Sequence, residues 1–258
     1  MKILAVCSAQ VIYIFDLDEL NYKTRIGRDI GGRVKNPFTS IDLNGSATLA
    51  AVCSRLESKI SIFNIKTAKA EKYLDKHVGG VHQVRFNPEG DRIISSGEDG
   101  KIIIWNWKTG EKLFDFMRHS NSVRCVDFNP SQPERLLAGR SDGVVTAWDI
   151  NEAQIIDKIE PDPSWDVKRA TFGAWRDTDK FHTGGILCLK RSGNGKLLAT
   201  GSSDNTCKIW DTTSYIKSVE VIRFEDEVWI SALKIQSGSK CRMIVKAYKW
   251  ENLGCTGS

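Results

Sequence analysis

His77, Ser95 and Asp99 are the residue types of a hydrolytic triad: a hydroxyl to attack a carbonyl, an imidazole to take its proton, and a carboxylate to hold the imidazole. The set returns as His182, Thr200 and Asp204, and again as His119 and Asp142 with Ala138 where the hydroxyl should stand. A nucleophile that Thr and Ala replace at the same place in a recurring pattern is not a nucleophile. In all three sets a tryptophan follows the aspartate by six residues: Trp105, Trp148 and Trp210. Buried without partners, such polar groups would each cost about 1 to 3 kcal/mol, so their fixed spacing points to bonding among themselves. We expect structural tetrads and no catalytic residue.

Other chemistry is as thinly supported. The four histidines are not at ligand spacing with cysteines or carboxylates, so no metal site is expected. Gly79-Gly80 and Gly184-Gly185 follow a tetrad histidine and read as repeat turns rather than a phosphate loop, and no cofactor is expected. Seven cysteines, odd in number and without a CxxC pair, fall mostly in apolar stretches. They read as buried thiols of a reducing compartment, cytosolic or nuclear. The net charge of +5 is too slight to imply a polyanionic partner by itself, and no apolar run is long enough to span a membrane. The opening MKILAVCSAQ is broken by Gln10 after a short apolar segment and reads as a strand.

Three short strands in each of several successive stretches position these residues. In residues 77–106, Val81, Val84 and Phe86 alternate with polar positions, and Asn87-Pro88-Glu89-Gly90 makes a turn. Arg92 to Ser96 follow as a second strand, Gly97-Glu98-Asp99-Gly100 is a tight hairpin, and Lys101 to Asn106 return as a third. Residues 119–149 and 182–211 are strong copies, 1–30 and 37–65 weak ones, and 228–258 a broken one. Phe15, Phe63, Trp105, Trp148 and Trp210 are spaced by 48, 42, 43 and 62 residues, and an insert over 161–181 explains the long interval. A period near 40 to 45 marks a radial repeat array.

On these residues the whole chain resembles the WD-repeat β-propeller family, strongly from His77 to Asp211. The resemblance implies an all-β fold of four-stranded antiparallel blades, about five plus a broken further repeat, in a single domain over 1–258. Each repeat would supply the outer strand of one blade and the inner three of the next. The tetrads would be His77, Ser95, Asp99 and Trp105; His119, Asp142 and Trp148; and His182, Thr200, Asp204 and Trp210. Ala138 should weaken the middle one. Seven blades would need about 300 residues, so an incomplete ring is expected, with open edges able to self-associate. Trp229 to Ile235 could alternatively complete the first blade.

Function is expected on the loops. The insert carries Trp165, Trp175 and Arg176, types favoured at interface hot spots, and Arg140 sits on a hairpin of the same face. Its acidic and basic residues balance, which argues against nucleic acid for this loop. Some propellers of the family serve cullin ligases with Arg two residues after Trp-Asp; Asn151 and Thr213 stand there instead. We expect a non-catalytic scaffold displaying Trp165, Trp175, Arg176 and Arg140 to a protein partner. An RNA-associated subunit of a ribonucleoprotein is the alternative.

Overall fold

The computed structural model describes residues 3–8, 11–18, 21–26, 37–116, 121–129, 132–159, 181–212, 217–224, 228–236 and 242–249. His119, Trp165, Trp175 and Arg176 lie outside them. Contacts group the chain into two compact units, 1–126 and 127–258.

The first unit opens with blade one, a three-stranded sheet of β1 (Ile3–Ser8), β2 (Val11–Asp16) and β3 (Asn21–Ile26). Blade two is β4 (Ser40–Leu43), β5 (Leu49–Cys53), β6 (Ile60–Asn64) and β7 (Ala70–Leu74). Blade three is β8 (Val81–Phe86), β9 (Arg92–Gly97), β10 (Ile102–Asn106) and β11 (Glu111–Phe116). The boundary between the units falls within β12 (Val123–Asn129), the first strand of blade four. That blade continues with β13 (Gln132–Arg140), β14 (Val145–Asp149) and β15 (Gln154–Ile159). Blade five follows as β16 (Ile186–Arg191), β17 (Leu197–Ser202), β18 (Thr206–Asp211) and β19 (Lys217–Arg223). Last comes a pair, β20 (Val228–Gln236) with β21 (Arg242–Lys249). Among the described residues this all-β order, sequential in every sheet, is that of propeller blades. Within the second unit, β20 pairs with β21 over Val228 to Gln236.

In all five blades the pairing of the third strand with the outer strand slips at one place, just before Phe15, Phe63, Trp105, Trp148 or Trp210. A bulge of this kind bends the strand and raises its twist. The phenylalanines occupy the tryptophan position without an indole N–H to satisfy. The hairpin after the tetrad aspartate also repeats: Gly100, Gly143 and Asn205 all have positive φ, a conformation open to Gly and tolerated by Asn.

Middle strands read as apolar runs because neighbours cover both faces. β5 is buried at every position. Leu49, Ala51 and Cys53 pack with Val81, Val84, Ile103 and Trp105 of blade three, whereas Ala50 and Val52 pack with Ile12, Ile14 and Ile26 of blade one. The period of two along a strand makes this division. Cys53, Cys125, Cys188 and Cys207 are buried in the blade strands and form no disulfide. Burial, with Cys207 nearby, pushes the Cys188 thiol up to about 12, so it is an inert spacer at neutral pH.

Candidate functional site

In blade three the loop before β8 brings His77 over the hairpin between β9 and β10. Its Nδ1 lies 3.0 Å from both Asp99 oxygens, and its Nε2 is 2.8 Å from Ser95 Oγ. Trp105 donates its indole N–H to the same Oγ at 2.8 Å. The Asp99 carboxylate also accepts the backbone N–H of Val78 at 2.8 Å and of Lys101 at 3.1 Å. Burial raises the Asp99 carboxyl, but the bonds from His77 and Val78 more than offset it and hold the group below its ordinary value.

Blade five repeats this arrangement. His182 Nδ1 is 2.9 Å from Asp204, its Nε2 is 2.7 Å from Thr200 Oγ1, and Trp210 donates to Thr200 at 2.8 Å. Thr206 adds a hydroxyl bond to Asp204 at 2.6 Å. Burial depresses the His182 pKa despite Asp204, so the ring is neutral near pH 7. A carboxylate only accepts, so Nδ1–H donates to Asp204 and the Thr200 hydroxyl donates to Nε2. Asp204 is raised by burial yet ends well below the usual carboxylate range through His182.

The local pattern is that of a hydrolase, but the hydroxyl has nothing left to offer. Ser95 and Thr200 are fully buried, and each oxygen is engaged by an imidazole on one side and an indole on the other. No acyl group can approach either, and catalysis by these sets has no geometric basis.

Blade four departs from expectation. Ala138 should leave the Trp148 indole short of a partner, yet Trp148 donates to Thr146 Oγ1 at 3.0 Å. Thr146 is paired directly opposite Ala138 across β13 and β14, where blade three has Ile103 opposite Ser95 and blade five has Lys208 opposite Thr200. The hydroxyl has changed strands. Asp142 accepts the Val144 backbone N–H at 3.3 Å and is ion-paired with Arg140.

Comparison with known proteins agrees with the repeat geometry. The family described as WD domain, G-beta repeat matches residues 69–106, 110–149 and 176–211. The first two matches each span the outer strand of one blade and the inner three of the next, and all three end one residue past a third-strand tryptophan. The chain is a WD-repeat protein. It is 26% identical over 187 residues to the guanine nucleotide-binding protein subunit beta of rice (Oryza sativa subsp. indica), covering 70% of this chain and 45% of that protein. The maize protein of the same name is 27% identical over the same shares. Protein HIR1 of Candida albicans is 31% identical over 109 residues, 37% of this chain and 12% of its own length. The chain spans about half the length of the beta subunits it matches. WD-repeat proteins generally act as protein-interaction scaffolds and are typically non-catalytic.

The WD-repeat hairpins are held by main chain. Gly80 accepts the Glu98 backbone N–H at 2.9 Å, and Gly185 accepts that of Ser203 at 3.0 Å. A Cβ on Gly80 would lie 1.8 Å from the Arg55 carbonyl oxygen, and one on Gly185 2.8 Å from that of Ser141. These glycines, expected as turn residues, are required by the close approach of the preceding blade's hairpin. Gly79, at φ +108°, is the turn.

Neighbouring WD blades are also clamped by charge. Asp42 of β4 accepts the Phe86 backbone N–H at 2.8 Å and faces Arg85 at 3.4 Å. Asp127 of β12 accepts the Arg191 backbone N–H at 3.4 Å and pairs with Lys190 at 2.9 Å. Asp42, Arg85, Asp127 and Lys190 hold the same place in four successive inner strands, with alternating sign. The pattern is visible in the sequence once the repeats are aligned.

Of the expected binding residues, Trp165, Trp175 and Arg176 fall outside the described residues. Arg140 is on its hairpin, but its side chain is only 13% exposed and lies on Asp142. Among the described residues no three His, Cys, Asp or Glu side chains gather as metal ligands, and no helix is long and apolar enough to cross a membrane.

Proposed function

We propose that this WD-repeat protein is a non-catalytic scaffold, working in the cytosol or nucleus, that displays loops of one propeller face to a protein partner. The observation that carries the reading is the closure of the tetrads: every hydroxyl, imidazole and carboxylate described in them is spent on another member or on backbone. What varies between blades is therefore on the loops and hairpin tips. The insert supplies Trp165, Trp175 and Arg176 as anchors, and Arg140 joins them by exchanging Asp142 for a carboxylate on the partner. Rigid display keeps the ordering cost of binding low.

A tagged pulldown from lysate, with and without nuclease, tests this with the native chain and a Trp165→Ala, Trp175→Ala variant. A protein partner that survives nuclease and is lost with the tryptophans supports the reading. Partners lost to nuclease alone would replace it with the RNA-associated alternative.

A further inference from the structure

His82 is unexplained by the tetrads. It lies inside β8, where the pairing with β9 skips from Val81 to Gln83 and leaves His82 as the bulged residue. Blade five makes the same skip between Ile186 and Cys188, with Leu187 at the bulge. An apolar side chain therefore satisfies the fold there, and bulges often re-aim a side chain toward a site. His82 is 9% exposed, and its Nε2 is buried without a hydrogen-bond partner.

Besides His77 of the tetrad, three charged groups on hairpins and strands act on this ring. Arg55 is on the hairpin of blade two, Arg124 holds the second place in β12 as His82 does in β8, and Glu98 is on the hairpin of blade three. Burial first, then Arg55, Arg124 and His77, against Glu98, take the imidazole down to about 4, so it is neutral at pH 7. Burial and the charge of Arg55 also lower the Arg124 guanidinium. Among the described residues neither arginine has an ion-pair partner, and Arg124 Nε is buried without one. Glu98 gives one oxygen to the Gly80 backbone N–H at 3.2 Å. Two guanidiniums and one carboxylate leave a single positive charge around an unpartnered ring nitrogen.

We propose that Arg55, His82 and Arg124 form a receptor for one carboxylate, the Asp or Glu side chain of an acidic segment on a protein partner. The single excess charge matches a monoanion and is exceeded by a phosphate dianion. The carboxylate sits between the two guanidiniums and gives the His82 ring a polar neighbour. This deepens the scaffold reading and rests on it.

The test is a histidine NMR titration of the full chain, with the His82 signal assigned by His82→Gln. Added N-acetylglutamate amide should raise the His82 midpoint above about 4, and N-acetylglutamine amide should leave it in place. Arg55→Gln and Arg124→Gln should each weaken the effect about tenfold, the loss of one charge-assisted bond. Inorganic phosphate should bind no tighter than the carboxylate. A midpoint unmoved by the carboxylate in the native chain overturns the proposal, as does tighter phosphate binding or indifference to both arginine variants. The native-chain readout stands even if a variant misfolds. A partner captured equally by the native and arginine variants would overturn this site and leave the scaffold reading intact.

Discussion

Thr146 stands directly across the strand pair from Ala138, and its hydroxyl takes the Trp148 indole N–H at 3.0 Å. The acceptor that blades three and five carry on the second strand is here carried on the third. Thr146→Val should destabilise the protein by about 1 to 2 kcal/mol, because a buried N–H loses its acceptor while side-chain volume is kept. Adding Ala138→Ser should recover part of that loss by restoring the hydroxyl to the other strand. Urea unfolding of the single and double variants measures both; additive effects would show that the two positions do not share the indole.

The Asp42 clamp on Phe86 makes a second prediction. Asp42→Ala removes the acceptor of a backbone N–H and the neighbour of Arg85, and should cost about 1 to 3 kcal/mol. Asp42→Asn keeps an acceptor oxygen and should cost less. Amide exchange at Phe86 should quicken most in the alanine variant.

Gly80 admits no side chain. Its Cβ would meet main chain, the Arg55 carbonyl at 1.8 Å, so Gly80→Ala should lose about 3 kcal/mol or fail to fold. Gly45→Ala is the control: its Cβ would have the Pro88 carbonyl oxygen at 3.4 Å, ordinary contact, and its melting temperature should stay close to that of the native chain.

Acid should weaken the fold in two stages. His82 titrates near 4 when folded against 6.5 ordinarily, so the unfolded chain binds the extra proton between those values and stability falls as pH drops from 6.5 to 4. His182, also depressed by burial, adds to the loss of stability below 6.5. Asp99 and Asp204 are held below their ordinary 3.8, so their contribution is complete above that value and is lost as pH falls further. Denaturation midpoints from pH 7 to 4 should decline, and His82→Gln should flatten the decline.

The fold was legible because the burial of both strand faces leaves apolar runs at a fixed period, and because the Asp-to-Trp spacing of six follows from hairpin geometry. Even Phe15 and Phe63 could be placed, since the bulge beside them depends on backbone and not on the indole. Thr146 was hidden because its role depends on which residue lies across the strand pair, and Ala138 alone announces only a loss. The alternation of Asp42, Arg85, Asp127 and Lys190 was hidden for a related reason: each charge is ordinary within its own repeat and has meaning only against the next. In the sequence His82 was weighed only among the histidines that lack metal-ligand spacing; its bulge comes from the pairing with β9, which residue types do not reveal. The insert's tryptophans were chosen from residue type, and their placement lies outside the described residues.

The hydrogen bonds from Glu98 and Ser203 to Gly80 and Gly185 run between main-chain atoms, and such bonds do not depend on which side chain the donor residue carries. The main-chain posts are thus alike in both blades, and at 98 the carboxylate adds a bond of its own from the Gly80 N–H. At 203 a hydroxyl stands in its place. The backbone of a tip can therefore outlast a change of its side chain, whereas a side chain on the glycine beneath it would run into the main chain of the neighbouring hairpin.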